Sequence, residues 1–450
     1  MKRIKKYYRV EFELTSPLSV GSGENTITDS DIVVDGRGLP YIPGSALAGV
    51  YRNLFANTTA DMYFGYDLTP ERLKKSIKEG KNTLTSSDII VYDAVISNPK
   101  NRAITKRDMV SLDEYKVSLK GAKFDFQVLE PGVKFVTYIE QNMVDANEGY
   151  VAEEIAYAWI MEQIQLGAKT GRGYGHTKAI ALAECSFDLR KVKERDAWLN
   201  FDMYEDKGWK TVEVPTCLSA GDESLSEIYQ EKQIQLKEKQ KLTVELKLKQ
   251  RGGISIRQYS TNVNEADYMQ MVRQDETPFI PGTSWAGAFR AQFEKLEQSF
   301  GRNCPFTEVF FGVVKGSKEE ESHKTRVTFS ESILENGNWK VYSRNAIDRF
   351  SNGTIGGALY TEKSYFEGDT KLTITCDMTE IDATQKKYFQ AVLAASILDL
   401  DRGYLAVGGL TSVGHGLFTV KSVVINGTEM ELEEIALEEQ YVAIMNAMNA

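Results

Sequence analysis

Hydrophobic and polar positions alternate along the chain in two matching series. Tyr8, Val10, Phe12 and Leu14 alternate with polar neighbours, and so do Leu242, Val244, Leu246 and Leu248. That two-residue period is the mark of a strand with one buried face. Each series continues into a second apolar strand, DIIVYDAVIS at 88–97 and RVTFSESILE at 326–335. A helical period follows in both. Ile155, Trp159 and Glu162 are spaced by four and three residues; Phe389, Val392, Leu393, Ser396, Ile397 and Leu400 fall on one helical face. Each series then closes on a glycine-rich segment leading into a strand, LGAKTGRGYGHTKAIAL (166–182) and VGGLTSVGHGLFTV (407–420).

The two series are an internal repeat, the feature to seek first because it decides the fold. PYIPGSALAGVYRNLF (40–55) and PFIPGTSWAGAFRAQF (278–293) share Pro, Ile, Pro, Gly, Ala, Gly, Arg and Phe in register. Segments 107–132 and 344–368 both open on a basic residue near an Asp and end in an aromatic strand closed by Gly. Each half reads strand, loop, helix, strand, hairpin, helix, Gly-rich loop, strand. That order predicts an α+β fold of two tandem ferredoxin-like or RRM-like domains with extra hairpins. The expected boundaries are 1–203 for the first domain and 241–428 for the second. A charged linker over 204–240 joins them, partly helical within 223–240, and 429–450 forms an acidic tail.

Composition changes this picture in one respect. The 450 residues are 42% hydrophobic and 26% charged, ordinary values for a folded protein. The net charge of −10 argues against a nucleic-acid partner until it is divided. Residues 1–200 hold 27 basic and 27 acidic side chains, so the whole excess (54−27=27 basic against 64−27=37 acidic) lies beyond residue 200. No run approaches the roughly 20 apolar residues of a membrane span. The basic start MKRIKKYYRVEFEL passes directly into alternation, so a secretory signal is not expected. Cys185, Cys217, Cys304 and Cys376 lie far apart without a CxxC pair, which fits reduced thiols in a cytoplasmic protein.

Several residues are candidates for chemistry. In PxIPG[ST]xxAGxxR, Ser45 and Thr283 are expected as helix N-caps, the helix start favours an anion, and Arg52 and Arg290 are within reach of a phosphate. The alternative is a capped helix carrying a surface arginine. Gly173 and Gly175 align with Gly414 and Gly416, beside Lys169, Arg172 and His176. This loop joins a helix to a strand, which is the wrong context for a dinucleotide fingerprint. It suits either a backbone lying against a ligand or close internal packing. Asp29 and Asp267 each lie eleven residues before the motif proline, Pro40 or Pro278, with Asp35 and Asp275 following. A loop carboxylate can bind Mg²⁺ or orient a nucleophile, or it can close a turn. The three histidines, His176, His323 and His415, form no paired metal motif.

Taken together, SVGSG…TDSDIVVDGRGLPYIPGSALAGVYR and LGAKTGRGYG, with FIPGTSWAGAFR, RNAIDRFSNGTIGGALYTEKSYFEG and VGGLTSVGHG, resemble the RAMP superfamily. Within it, they resemble the family-seven backbone subunits of type III CRISPR effector complexes, here fused in tandem as in III-D variants. The resemblance implies an RRM-like fold with an inserted thumb hairpin, near 101–125 and 336–358. It implies partners: a CRISPR guide RNA, a complementary target RNA and other effector subunits, with no membrane. It implies catalysis and metal binding by Asp29 and Asp267, with Mg²⁺ or another divalent cation, to cleave target RNA. The expected RNA-binding set is Ser45, Arg52, Arg107, Lys116, Lys120, Lys169, Arg172, Gly173, Gly175, His176, Thr283, Arg290, Arg344, Gly414 and Gly416. A non-catalytic guide-RNA scaffold and a His-dependent processing endoribonuclease remain as alternatives.

Overall fold

The computed structural model describes residues 2–23, 27–65, 86–99, 104–112, 118–144, 150–214, 236, 240–259, 266–299, 306–312 and 324–432. Most of the expected linker helix, Lys116, the side chain of Lys120, His323 and the tail beyond 432 lie outside the described residues. The chain divides into two compact units. No described helix is long and apolar enough to cross a membrane.

The first unit contains, in chain order, β1 (Ile4–Leu14), α1 (Gly44–Asn53), the base of the hairpin formed by β2 (Ile104–Leu112) and β3 (Ser118–Leu129), up to Met109 and from Phe124, then β4 (Lys134–Met143), α2 (Val151–Ile160) and β5 (Thr177–Asp188). β1 pairs antiparallel with β4 on one side and β5 on the other, and the short strand Ala94–Ile96 extends the sheet beyond β4. Counting core strands in chain order, the sheet runs 2-3-1-4 with a helix after the first and third, the βαββαβ ferredoxin-like arrangement. The alternation in β1 sends Val10, Phe12 and Leu14 into the core against Leu47 and Tyr51 of α1 and Ile155 and Trp159 of α2. The Trp159 ring lies tilted, 4.4 Å from that of Phe12, and donates its indole N–H to the Tyr51 hydroxyl at 3.0 Å, so the polar ends of two buried aromatics satisfy each other. The opposite sheet face is also covered. Trp198 donates to the Tyr7 hydroxyl at 3.0 Å, and Phe201 packs on Tyr7 and Phe187. The segment from 204, expected to open the linker, packs here too: Tyr204 and Trp209 lie on Tyr138, and Lys210–Val212 pairs with β5.

The second unit repeats the order with β6 (Lys241–Arg251), α3 (Gly282–Ser299), β7 (Asn338–Arg344), β8 (Tyr360–Phe366), β9 (Asp369–Asp377), α4 (Ala383–Arg402) and β10 (Leu417–Ile425). Its sheet runs Val327–Phe329, β9, β6, β10, again 2-3-1-4. Leu242, Val244, Leu246 and Leu248 of β6 pack with Trp285, Phe289 and Phe293 of α3 and with Phe389, Val392, Leu393, Ile397 and Leu400 of α4. α4 starts at Asp382, whose carboxylate accepts from the Thr384 and Gln385 N–H groups, and ends at Gly403 in the left-handed region. Thr428–Met430 pairs back on β10, so the expected tail begins inside the sheet.

In each unit a hairpin is inserted before the third core strand: β2–β3 in the first, β7–β8 in the second. These strands reach 129 and 366, past the thumb limits of 125 and 358 expected from the sequence.

Candidate nucleic-acid interface

The two loop aspartates occupy equivalent places. In a turn over 27–31 the buried Asp31 carboxylate accepts from the Ile27 N–H (2.8 Å), the Thr28 N–H (2.9 Å) and the Thr28 hydroxyl (2.7 Å). This turn holds Asp29 exposed at the surface, against β3. The Asp29 N–H donates to Asp125 Oδ1 at 2.9 Å, and the Asp125 N–H donates back to Asp29 Oδ2 at 3.0 Å. Lys106 on β2 forms an ion pair with Asp125. In the second unit the Asp267 N–H donates to Thr361 Oγ1 at 3.1 Å, while Asp267 Oδ2 accepts from the Thr361 N–H (2.7 Å) and hydroxyl (2.9 Å). The Thr361 N–H and hydroxyl hold the Asp267 carboxyl below the usual carboxylate range. Both aspartates are therefore gripped by the return strand of the inserted hairpin. Asp35 and Asp275 do the ordinary work of the residue type: Asp35 accepts from the Arg37 and Leu39 N–H groups, and Asp275 from that of Thr277.

Among the described residues no three His, Cys, Asp or Glu side chains gather as a metal cage. Mg²⁺ does not require one, since it is held through one or two carboxylates plus phosphate oxygens and water. The exposed carboxylates of Asp29 and Asp267 fit that mode.

The repeated PxIPG motif has a structural role in both units. Helix α1 begins at Gly44, with Pro43 at the N-cap, so Ser45 lies inside the first turn and makes no cap. Thr283 likewise follows the first residue of α3. The Gly44 N–H donates to Asp93 Oδ1 at 2.6 Å, so a protein carboxylate already serves that helix start. The motif glycine is required by close approach. A Cβ on Gly44 would sit 2.4 Å from the Val91 carbonyl oxygen, and one on Gly282 2.2 Å from that of Phe329. The arginines also have matched internal roles. Arg52 pairs with Asp61 and donates to the Gly65 carbonyl at 2.6 Å; Arg290 pairs with Glu294 at 2.9 Å and donates to the Gly312 carbonyl at 3.3 Å. Each ties α1 or α3 to the chain after the short helix that follows it.

The glycine-rich loops are likewise built for close internal packing. Gly175 and Gly416 have φ of 79° and 75°, and a Cβ would meet the carbonyl oxygen of Leu166 at 1.8 Å or of Val407 at 1.9 Å. The Leu166 N–H donates to the Gly175 carbonyl (2.8 Å) as the Val407 N–H does to that of Gly416 (3.0 Å). Gly173 and Gly414 also have positive φ, 81° and 85°. Lys169 places its ammonium 3.8 Å from the Phe126 ring centroid, and Arg172 is exposed at the end of the turn 170–172. The His176 N–H donates to Ser16 Oγ, and its ring lies beside Gln165. His415 is buried edge-on against Phe366.

Two of the expected RNA-binding residues lie at the hairpin bases. Arg107 is buried, with Nη2 3.1 Å from both Glu130 oxygens and its guanidinium over the Tyr174 ring. Arg344 is half-buried and lies 3.7 Å from the buried Glu362, which also faces Arg257 at 3.5 Å and accepts from the Ser255 hydroxyl. The Arg107–Glu130 pair is desolvated, and a pair of that kind secures structure.

Sequence reasoning missed Asp93, Lys106, Asp125, Glu130, Thr361 and Glu362. For Asp125 and Thr361 a signal existed: each lies seven residues before the glycine that closes its repeat strand, Gly132 or Gly368. Asp93 and the two glutamates have no comparable mark.

Comparison with known proteins follows the same division of the chain. A family model described as the RAMP superfamily matches residues 11–178 and again 223–419. No curated protein matches. Among solved structures, one similar chain is from "Cryo-EM structure of the Type III-B Cmr-beta bound to cognate target RNA", at 18% identity and a TM-score of 0.32. The match covers 40% of this chain and 60% of that one, less than two thirds of its length.

Proposed function

Because the chain belongs to the RAMP superfamily in both of its halves, we propose that it is a backbone subunit of a cytoplasmic type III CRISPR effector complex. In this reading it holds a guide RNA beside other effector subunits and cleaves the paired target RNA at two places by metal-dependent hydrolysis. One observation carries the proposal: an exposed aspartate recurs in both units, gripped each time by the return strand of an inserted hairpin.

Asp29 and Asp267 would each hold Mg²⁺ through one carboxylate, with phosphate oxygens of the RNA completing the coordination. When bound, the cation supplies positive charge to the scissile phosphate and its leaving oxygen. The chain contributes position. Asp29 Oδ2 and Asp267 Oδ2 are occupied by hairpin donors, which orients each carboxylate relative to the hairpin base. The Thr361 donors also favour the ionised, ligating form of Asp267. Sequence would be read by base pairing with the guide, so the protein needs backbone and stacking contacts more than base contacts.

The test is target cleavage by the assembled complex carrying Asp29→Ala, Asp267→Ala or both. Each single substitution should remove one product, the double both, with guide binding unchanged. Persistence of both products in the double variant would overturn the catalytic assignment. A non-catalytic scaffold is the second reading, favoured by the Lys106 ammonium paired with Asp125 beside Asp29. Uncut target after incubation of the complex with Mg²⁺ would select it. A His-dependent processing activity draws no support from His415, which is buried and whose pKa burial pushes down.

A further inference from the structure

We propose that Asp125 and Thr361 are positioning residues, each fixing the aspartate of its own unit through a reciprocal pair of hydrogen bonds, so that the inserted hairpin sets the geometry of the cleavage site. This rests on the catalytic reading of Asp29 and Asp267 given above.

The brace has the same construction twice, from different chemistry. In the first unit the loop amide of Asp29 is accepted by the Asp125 carboxylate (2.9 Å), and the strand amide of Asp125 is accepted by the Asp29 carboxylate (3.0 Å). In the second unit the Thr361 hydroxyl takes the acceptor's part for the Asp267 amide (3.1 Å), and the strand amide of Thr361 again donates to the aspartate (2.7 Å). The bonded partners are 96 and 94 residues apart in sequence, so local turn formation does not account for either contact. Two residue types that share little but a short side-chain oxygen acceptor stand at one repeat position. The common requirement is thus the acceptor for the loop amide. Asp125 carries its own counter-charge in Lys106, so its negative charge is balanced and the oxygen position is what it contributes. With one end on the loop and the other on the hairpin, displacement of the hairpin moves the aspartate. Small misplacements of a reacting group are costly, about a hundredfold for 1 Å.

The experiment uses the full chain in the guide-loaded complex, with two readouts. Asp125→Ala should slow the turnover of the Asp29 product about tenfold, the scale of a lost orienting hydrogen bond, with KM for target unchanged and the Asp267 product unaffected. Thr361→Val should do the reverse. Asp125→Asn and Thr361→Ser, which keep the oxygen acceptor, should restore most of the rate. Independently of activity, hydrogen exchange should rise in the peptide around Asp29 for Asp125→Ala and around Asp267 for Thr361→Val. The proposal is overturned if exchange does not change, if either substitution slows both products equally, or if the Asn and Ser variants fail to recover. If the Asp29→Ala/Asp267→Ala double variant still makes both products, the catalytic reading fails. The exchange readout then decides the brace by itself.

Discussion

Substituting Arg107 separates a structural role from an RNA contact. The side chains of Arg107 and Glu130 are only 5% and 7% exposed, and the guanidinium meets both carboxylate oxygens at 3.1 Å. Arg107→Ala would leave Glu130 buried with the Thr105 hydroxyl as a neutral partner. Breaking a buried pair from one side costs about 3–5 kcal/mol, whereas removing both charges together is close to neutral. Against a total of about 5–15 kcal/mol for an ordinary domain, the single substitution endangers the first unit. Arg107→Met combined with Glu130→Gln removes both charges and keeps an acceptor for Thr105, so it should recover most of the loss. The assay is urea unfolding of the three proteins, followed by exchange in β4 and α2, together with guide affinity as a function of salt. The argument predicts that the double variant binds guide with the salt slope of the parent. A folded Arg107→Ala protein of parental stability, with weaker guide binding and a slope reduced by about one counterion, would refute it. So would a double variant no more stable than the single.

Further outcomes follow from backbone geometry and from pH. Gly416→Ala places a methyl 1.9 Å from the Val407 carbonyl oxygen at a φ of 75°, and thermal unfolding should show a loss of more than about 1 kcal/mol in the second unit. Burial first, and then the Arg344 guanidinium, push His415 below its ordinary 6.5. Between the two values the unfolded chain binds more protons than the folded one, so the His415 contribution is complete above about 6.5 and declines as the pH falls below it. Denaturant titrations at pH 7.5 and 5.5 should show a smaller drop for His415→Gln than for the parent, and equal drops would exclude His415 as a source.

The repeat, the strand alternation and the helical faces were legible because they are local patterns. Phe12 and Leu246 point into their cores as the two-residue period requires, and Phe389 to Leu400 share one buried helical face. The equivalence of Gly175 and Gly416 was also legible, since both positions need a residue without Cβ. The partners of the charged residues were not. Arg52 and Arg107 look like phosphate ligands in sequence because composition carries no information on whether a guanidinium is already paired. Their partners, Asp61 and Glu130, are found by chain packing.

By itself, then, the sequence determined two copies of a βαββαβ unit, each with a hairpin insertion and an exposed loop aspartate, because periodicity and glycine requirements are set within a few residues. Only the tertiary structure decided which carboxylates pair with Arg52 and Arg107. It also decided that Asp29 and Asp267 are held by Asp125 and Thr361. That last outcome depends on hydrogen bonds between residues more than ninety positions apart, whose geometry exists once the sheet has brought the hairpin against the loop.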